Sequence, residues 1–492
     1  MNTTLKNFIS RYRPRYIRSL VYMAQQSEYC IRDYLTWFWR TRDFLHVEHR
    51  KTLVKTPKAL LLIVLSFVGL SLLYAFALWV LLVGVVWWKY LIFLLVVLGA
   101  PFILVYGMAG ALLLGRLIQW PVEYFIVDYA KRKLRAHSGL KIAIAGSFGK
   151  TTMREILKTV LSSAKKVAAP PGSYNTPLGI AKFVRGLKGD EEVLIFEMGE
   201  YYPGDIRKLC NFVQPDIGII TGVNEAHLEK FKDIERTRAT IFELADYLGD
   251  KSLYINGESK LARASLAEIP LDKGGAESAR RGLLLYTRFG AGKWKVERAQ
   301  TGLSGTSFTL QNGHESISMR SKLLGLHQVG SLSVAVHIAS RLGLTVEEIE
   351  RGIDATKPFE HRLEPKIDAQ GVVWLDDSYN GNPDGVRAVI EFLSSLKGAR
   401  RWYVTPGLVE MGPKKEEIHK EIGRQLARAD IEKVILVRNS VTPFIETGLQ
   451  EGNYTGEVRW FDKALDAFAA LPSLTASGDI VLLQNDWPDQ YA

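Results

Sequence analysis

The chain has 492 residues, a formal net charge of +11, 23% charged residues and 11% aromatic residues. This composition is typical of a globular protein of several domains, and it excludes an intrinsically disordered one. The two cysteines, Cys30 and Cys210, lie far apart and lack metal-ligand spacing. We therefore expect neither a disulfide framework nor a zinc site, and a reducing compartment fits the chain.

The basic charge is concentrated before residue 58. This segment carries about twelve Lys or Arg residues against about four acidic ones, whereas the chain after residue 135 is close to neutral. Because an apolar region follows directly, we interpret the charge as a membrane signal and expect no nucleic-acid partner. Residues 1–58 predict either amphipathic helices on an anionic membrane surface or a soluble helical hairpin with a basic face.

Two long stretches without charge follow, Ala59–Trp88 and Tyr90–Gly115, with Lys89 between them. Each exceeds the roughly 20 residues that span a bilayer. The pattern predicts two transmembrane helices in 59–116 and a basic linker helix in 117–138. Positive charge on both sides places both ends in the cytoplasm, so we expect a two-span cell-membrane protein with cytoplasmic catalytic domains. A buried pair of core helices is the alternative, but soluble cores rarely contain two uncharged runs of this length.

The segment KIAIAGSFGKTTMREILKTVL, from Lys141 to Leu161, combines a β-prone run, a glycine-flanked turn and helical spacing. Glycines let backbone N–H groups approach phosphate oxygens, and the helix N-terminus adds a favourable dipole. A lysine at this position reaches the terminal phosphates, and the next hydroxyl can hold Mg²⁺. An accidental Gly-Lys-Thr turn is the alternative. The expected nucleotide-binding residues of this loop are Gly146, Ser147, Phe148, Gly149, Lys150, Thr151 and Thr152.

The rest of the chain alternates between strand-like and helix-like patterns. We expect an α/β fold in which a P-loop parallel-sheet central domain (139–358) is followed by a smaller Rossmann-like α/β C-terminal domain (359–492). An α-helical membrane region precedes both. Within the central domain the pattern predicts strands at 193–197 and 217–221, a small appended antiparallel sheet over 283–322, and helices at 327–341 and 346–355. The C-terminal strands are expected at 372–376, 402–405, 433–437, 457–460 and 479–484.

Polar residues stand where two strands of the central domain are expected to end. Glu197 ends the run VLIFE, and His227 follows the run IGIIT. Ligands in open α/β sheets bind outside the carboxyl ends of the strands. These two residues and Thr151 are therefore expected to meet at one Mg²⁺–phosphate centre. Taken singly, each could equally be a capping or surface residue.

Seven motifs follow one another along residues 139–492. They are GSFGKTT, YNTPLG (174–179), FEMGEYYPGDI (196–206), PDIGIITGVNEAHLEKF (215–231), LYING (253–257), GLHQVGS (325–331) and LDDSYNGNPDGV (375–386). In this order they resemble the Mur ligases, the ATP-dependent amide-forming enzymes of peptidoglycan synthesis. They look most like the MurF branch, which adds D-alanyl-D-alanine to a UDP-linked tripeptide.

The resemblance implies an ATP- and Mg²⁺-dependent ligase that forms an acyl phosphate from a carboxylate, which an amine then attacks. It implies catalytic roles for Lys150, Glu197 and His227, and magnesium contacts for Thr151, Glu197 and His227. The remaining positions that it implies are Asp377 at the ribose, Arg362 at the nucleotide, His327 and Gln328 on the adenine side, and Asn175 and Thr176 at the substrate.

Three departures from the family pattern concern the substrates and the metal. Arg238 stands where the family carries a carbamylated lysine that binds a second Mg²⁺, so the protein uses one metal, Lys230 or Lys232 substitutes, or its activity is altered. The segment 482–491 replaces a basic dipeptide-binding motif. The membrane hairpin occupies the place of the family's N-terminal UDP-binding domain. We therefore expect a carboxylate acceptor near the bilayer, either a peptidoglycan precursor or a lipid-linked or polymeric substrate, and an amino acid or dipeptide as the amine.

Two other classes of function remain open from the sequence. A membrane P-loop ATPase would turn over ATP without an acceptor, although two spans are few for a transporter. A catalytically weak scaffold that recruits cell-wall enzymes would bind nucleotide without turnover, and Arg238 is the main argument for it.

Overall fold

The computed structural model describes residues 8–44, 47, 52–83, 87–172, 174–200, 202–225, 233–265, 282–379 and 381–486. The chain divides into two compact units, one formed by the residues up to Phe125 and the other extending from Ile126 to Asp486. The first unit is helical. Its helices are α1 (Arg15–Gln26), α2 (Ile31–Arg40), α3 (Pro57–Val83) and the first part of α4 (Trp88–Ala136).

Helices α3 and α4 are long and apolar enough to cross a membrane. They correspond to the two predicted spans, and α3 agrees with its prediction to within a few residues. The basic segment expected at 117–138 is helical, but it is the continuation of α4 and not a separate helix. Helix α4 continues through Pro101 and Pro121 to Ala136 without a break. A proline removes one backbone hydrogen bond of a helix, and the long apolar context on both sides keeps the helix continuous here.

The basic N-terminal helices pack against α3 and α4 instead of presenting an apolar face outward. Tyr16 and Leu20 of α1 and Phe38 of α2 are buried in one cluster with Ala59 and Val105 from the two long helices. The apolar residues of the basic segment therefore contribute to a core inside this unit, and the two alternatives for residues 1–58 stay predictions.

The second unit begins with a ten-stranded sheet in the order β10-β9-β8-β7-β6-β5-β4-β1-β3-β2. The strands from β2 to β6 are parallel, and those from β6 to β10 are antiparallel. The bounds are β1 Leu140–Ala145, β2 Val167–Ala168, β3 Val193–Glu197, β4 Ile217–Ile220, β5 Ser252–Asn256, β6 Leu283–Thr287, β7 Gly290–Ala291, β8 Trp294–Gly302, β9 Gly305–Asn312 and β10 Glu315–Ser321.

The antiparallel strands expected over 283–322 form, but they are not a separate sheet. Strand β6 pairs in parallel with β5, with Leu253 opposite Leu283, and so joins the antiparallel strands to the parallel ones. Pairing satisfies the backbone groups on the edge of β5 that a separate sheet would leave without partners. The periodicity of the sequence predicted the strands, but it contains no information about which edge β6 would join.

A second sheet of six strands has the order β11-β12-β16-β13-β14-β15 and is parallel except for β11. All five strands predicted for this domain form within one residue of their expected ends, and β11 adds an edge. The fold is therefore the predicted α/β class with two sheets. The bounds are β11 Glu364–Ile367, β12 Val373–Asp377, β13 Arg401–Thr405, β14 Lys433–Val437, β15 Glu457–Phe461 and β16 Ile480–Gln484.

Helices cover the sheets of the second unit. The C-terminal part of α4 packs into its core through the buried residues Ala130 and Leu134. Cys210 is also buried there, and burial raises the pKa of its thiol to about 12, whereas Cys30 in the first unit is exposed. The helices are α5 Lys150–Leu161, α6 Pro177–Arg185, α7 Asp205–Val213, α8 Ile234–Leu248, α9 Lys260–Ala264, α10 Gln328–Arg341, α11 Val346–Asp354, α12 Pro383–Ser395, α13 Lys415–Arg428, α14 Thr442–Glu451 and α15 Ala464–Leu474.

Candidate active site

The predicted phosphate loop lies between β1 and α5. Gly146 has a φ of +142°, and a Cβ added there would lie 2.3 Å from Oγ1 of Thr221. Gly149 caps α5 in the left-handed conformation, with φ of +74°. Both positions therefore require glycine, because a side chain would clash or strain the backbone. The loop leads directly into the N-terminus of α5, where the first N–H groups have no partner within the helix.

The residues after β4 hold this loop in place. The backbone N–H of Ser147 donates to the carbonyl of Gly222 at 2.9 Å. The hydroxyl of Thr221 donates to the carbonyl of Ala145 at 3.2 Å and also to that of Phe148. Strands β1 and β4 are parallel neighbours, so their carboxyl ends lie at the same edge of the sheet. The conformation of the phosphate loop is thus fixed by hydrogen bonds to residues at the end of the neighbouring strand.

Thr151 and Glu197 meet as the sequence predicted. Glu197 ends β3, the parallel neighbour of β1 on the other side, and its Oε2 accepts a hydrogen bond from Oγ1 of Thr151 at 3.3 Å. The Glu197 side chain is buried, and desolvation raises the pKa of its carboxyl although nearby Arg154 and Lys150 oppose the shift. His227, the third residue expected at this centre, lies outside the described residues.

Arg154 is a residue of this centre that the sequence reasoning missed. Its guanidinium lies 2.8 Å from Oε1 of Glu197, and both side chains are about 95% buried or more. It also donates to the carbonyl of Gly172 at 2.6 Å. A signal was present, since Arg154 follows Thr151 by three residues and therefore lies on the same face of α5.

Glu200 is a second missed residue, and it contacts the predicted catalytic lysine. Its Oε1 and Oε2 lie 2.8 and 3.0 Å from Nζ of Lys150, which also donates to the carbonyl of Gly146. The Glu200 side chain is only 3% exposed. The motif FEMGE contained the residue, but its role depends on the path of the chain after β3, which the sequence does not specify.

A cavity beside the loop is lined by both domains of the second unit. From the central domain it includes Phe148, Thr152, His327 and Gln328, and from the C-terminal domain Arg362, Asp377 and Gln484. With Gly149, which also lines it, seven residues predicted to bind the nucleotide lie around one cavity.

Asp377 and Arg362 lie together on the C-terminal side of this cavity. The Asp377 carboxylate accepts from Nε2 of Gln484 at 2.8 Å and from the backbone N–H of Leu363 at 3.2 Å. Desolvation raises its pKa. The Arg362 guanidinium lies 4.8 Å from the centre of the Tyr379 ring, and desolvation lowers its pKa. A carboxylate, an amide and a stacked guanidinium can together recognise hydroxyl groups and a planar ring.

His327 lies on the opposite, central-domain side. Burial, assisted by the charge of Arg288, lowers the pKa of its imidazole to about 4, so the ring is neutral at pH 7. Its Nε2 lies 2.9 Å from Nε2 of Gln328. A neutral imidazole beside an amide supplies both a donor and an acceptor, which is what a nucleobase edge requires.

Contacts between the two domains surround the same cavity. Arg288 of the central domain contacts Glu258 at 2.9 Å and Glu391 of the C-terminal domain at 2.7 Å. Nδ2 of Asn224 donates to Oδ1 of Asn382 at 2.8 Å. The sequence analysis did not single out any of these residues, because pairs that are 103 and 158 positions apart leave no local pattern. The two domains of the second unit are therefore in direct contact beside the cavity.

Asn175 and Thr176, expected at the substrate, do not line this cavity. The Asn175 carbonyl accepts from the backbone N–H of Gly199 at 3.0 Å, where any Cβ would lie 2.8 Å from that oxygen. Thr176 caps helix α6 by accepting from the backbone N–H of Gly179 at 3.3 Å. Both residues thus have structural partners, and their contact with a substrate stays a prediction.

Arg238 lies on α8, and its guanidinium is 2.6 Å from Oε2 of Glu235 and 3.3 Å from Oγ of Ser265. A guanidinium stays protonated and cannot become an anionic ligand as the family lysine does. Lys230 and Lys232, the alternatives for that role, lie outside the described residues.

Comparison with known families agrees with this geometry. Residues 144–339 match the Mur ligase middle domain, and residues 361–484 match the Mur ligase glutamate ligase domain, so that together they cover well over half of the chain. The chain belongs to the Mur ligase family. It is therefore an ATP-dependent ligase, and the predicted family, class of enzyme and use of ATP and Mg²⁺ are confirmed.

Individual Mur ligases that resemble this chain include three with 23% to 28% identity to it. The UDP-N-acetylmuramoyl-tripeptide–D-alanyl-D-alanine ligase of Mycobacterium tuberculosis is 28% identical over 363 residues, which are 70% of this chain and 69% of that protein. The same ligase of Bacillus subtilis is 24% identical over 358 residues, 72% of this chain and 75% of that protein. The crystal structure of MurF from Thermotoga maritima with ADP has a TM-score of 0.63 at 23% identity, covering 74% of this chain and 80% of that one.

The residues of this Mur ligase fit magnesium and a nucleotide. Thr151 and Glu197 provide a hydroxyl and a carboxylate 3.3 Å apart, and magnesium prefers such oxygen ligands. The glycine loop leaves room for phosphate oxygens where a Cβ would not fit. The neighbouring cavity carries the polar groups that a ribose and a base require.

Proposed function

We propose that this Mur ligase joins an amine to the carboxylate of a peptidoglycan precursor or related cell-envelope substrate held at a membrane, with Lys150, Thr151 and Glu197 at the phosphates. The observation that carries the proposal is the arrangement of these three residues beside a cavity that both family domains line. Magnesium-bound ATP supplies the phosphoryl group that activates the carboxylate.

The roles of the residues follow from their charge and position. Lys150 carries the positive charge that offsets the charge developing on the transferred phosphoryl group. Thr151 and Glu197 would hold Mg²⁺ when it binds, and Arg154 keeps the Glu197 carboxylate oriented at 2.8 Å. Asp377 and Arg362 fix the nucleoside so that its phosphates reach the loop.

The contacts between the two domains give the reaction a closed site. Arg288, Glu391, Asn224 and Asn382 bring the C-terminal domain against the loop end of the central domain. Closure excludes water, which would otherwise attack the activated carboxylate before the amine does.

The substrates of the similar enzymes suggest the first compounds to test. The names of the Mycobacterium and Bacillus relatives specify a UDP-N-acetylmuramoyl-tripeptide and D-alanyl-D-alanine. In this chain, two helices that are apolar enough to cross a membrane precede the family domains. We propose that they anchor the enzyme in the cell membrane with its catalytic domains in the cytoplasm, and that the preferred carboxylate is carried by a lipid or a polymer.

An acceptor screen with the full-length protein in detergent tests the proposal. ADP release is measured with UDP-N-acetylmuramoyl-tripeptide or its lipid-linked counterpart, each combined with D-alanyl-D-alanine or single amino acids. We expect ADP release to require both an acceptor and an amine, and to be fastest with the lipid-linked acceptor.

Other results would assign a different function. Faster turnover with the soluble UDP-linked tripeptide would show ordinary MurF activity and refute the lipid-linked acceptor. ATP turnover that is independent of any acceptor would indicate a membrane ATPase. Nucleotide binding without turnover would indicate a scaffold.

A further inference from the structure

The described contacts of Lys150 occupy every hydrogen of its ammonium group. A lysine ammonium group has three N–H donors and no acceptor. Among the residues that the structure describes, the acceptors around Nζ of Lys150 are the carbonyl of Gly146 and the two carboxylate oxygens of Glu200, at 2.8 and 3.0 Å. A nucleotide phosphate can bind this ammonium only if it replaces at least one of these contacts.

The pair between Lys150 and Glu200 is also shielded from water. The side chains are 14% and 3% exposed. In such surroundings, opposite charges attract each other more strongly than at the surface, because the effective dielectric constant is lower. Replacement of Glu200 by a phosphate therefore exchanges one strong anionic partner for another, and the net gain from binding is reduced.

The neighbouring carboxylate has a different partner, so the two acidic residues are not interchangeable. Glu197 lies 2.8 Å from the guanidinium of Arg154 and accepts from the hydroxyl of Thr151. In the described part of the chain, the charged partner of Glu200 is Lys150. The metal centre and the lysine contact thus have separate carboxylates, although only three positions of the chain separate them.

We propose that Glu200 is a positioning residue that competes with the nucleotide phosphates for Lys150 and thereby sets the affinity of the site for ATP. This inference rests on the proposed function in one respect, namely that the glycine loop binds the phosphates of ATP. The contact with Glu200 holds Lys150 at the loop, and an incoming polyphosphate displaces the carboxylate.

Competition of this kind depends on how far the phosphate chain extends. A lysine at this place in a phosphate loop reaches the β- and γ-phosphates. Removal of the Glu200 charge should therefore strengthen binding of a nucleoside triphosphate, while AMP, whose single phosphate does not reach the lysine, should bind as before. A residue that only stabilised the fold would not distinguish these two ligands.

The test measures dissociation constants by titration calorimetry on full-length protein in detergent, with the non-hydrolysable ATP analogue adenylyl imidodiphosphate and with AMP. Glu200→Gln keeps the size of the side chain and removes its charge. The matched control is Glu192→Gln, which removes a carboxylate paired with Lys165 at 3.1 Å on the surface. We expect Glu200→Gln to bind the analogue about 3- to 10-fold more tightly, with no change for AMP, and Glu192→Gln to match the wild type.

The variant Lys150→Ala, alone and combined with Glu200→Gln, completes a double-mutant cycle for this pair. It should weaken binding of the analogue, and addition of Glu200→Gln to it should have no further effect, because the two residues act through one contact. If Glu200→Gln does not fold, Glu200→Asp provides the same test, since the shorter side chain draws the carboxylate away from Nζ and should also tighten binding.

The inference is overturned if the folded Glu200 variant binds the analogue as the wild type does, or more weakly. It is also overturned if AMP binding tightens equally. A wild-type protein that binds neither ligand would refute the proposed nucleotide site itself, and this result is distinct from an unchanged affinity in the variant.

Discussion

The two ends of the nucleotide cavity are built on different principles. At the phosphate end, the central domain pairs its charges internally, Lys150 with Glu200 and Arg154 with Glu197. At the base end, His327 is neutral and Arg288 connects the two domains through Glu391. The first end must exchange partners when phosphates bind, whereas the second is ready to receive a base when the domains close. Residues of the first end therefore determine the charge that phosphates meet, and residues of the second end determine how the two domains come together.

The largest effect is expected at the phosphate end. Lys150→Ala removes the charge that stabilises phosphoryl transfer, and we expect acceptor-dependent ADP release to fall about 100- to 1,000-fold. Lys158→Ala, on the exposed face of the same helix, should retain the wild-type rate. Equal rates for Lys150→Ala and wild type would contradict the role of this end in catalysis.

Glu197 should give this end a characteristic dependence on pH. Desolvation raises the pKa of its carboxyl, so folding shifts its titration to a higher pH than in the unfolded chain. Its contribution to stability is thus present below the ordinary pKa of glutamic acid and is lost as pH rises through the raised value. Metal binding needs the ionised form, so Mg²⁺-dependent ADP release should rise over the same range in which metal-free stability falls.

The variant Glu197→Gln tests this opposition. We expect ADP release to fall about 10- to 100-fold and its pH profile to lose this limb. The measurements are ADP release and the thermal unfolding midpoint as functions of pH without Mg²⁺. Parallel trends of activity and stability in the wild type would show that Glu197 does not ionise to bind the metal.

His327 should give the base end the reverse dependence. Its pKa is lowered to about 4, so its stabilising contribution is present above the ordinary value of 6.5 and is lost as pH falls towards 4. The full shift corresponds to about 3 kcal/mol in the free energy of unfolding. The variant His327→Gln should flatten the stability profile between these two pH values, as followed by denaturant unfolding. An unchanged acid limb in this variant would assign the effect to other groups.

The smallest effect is expected for the contact between the domains. Glu391→Gln removes one carboxylate from Arg288 but leaves Glu258 at 2.9 Å. Because the pair is half exposed, we expect only about a 2- to 5-fold increase in KM for ATP, and the increase should diminish at high salt. Lys397→Gln, just beyond the same helix, is the control. A large fall in kcat would instead place Glu391 at the phosphate end of the comparison.

The sequence predicted the parts of this site that depend on local patterns or on general rules of sheets. The glycine loop follows from its spacing, and the meeting of Thr151 and Glu197 follows from the common edge of parallel strands. The C-terminal strands were predicted within one residue because their apolar runs are short and bounded by turn residues.

The residues that were missed depend on contacts between distant parts of the chain. Glu200 reaches Lys150 across 50 positions, and Arg288 reaches Glu391 across 103. The hydrophobic periodicity of the sequence predicts helices and strands, but it contains no information on contacts between residues so far apart. The continuity of α4 through Pro121 was missed for a different reason, since proline alone favours the end of a helix and the neighbouring turns overrule it here.

The two cysteines differ in reactivity as a consequence of their positions. A thiol reacts as the thiolate, so Cys210, buried and with a pKa of about 12, is protected at neutral pH, whereas Cys30 is exposed. The natural protein therefore carries one attachment point for a fluorophore or spin label, located in the helical first unit and separate from the catalytic second unit. The proposed membrane anchor can be tested with the same cysteine: labelling of intact and opened vesicles with a reagent that cannot cross membranes would show on which side of a bilayer Cys30 lies.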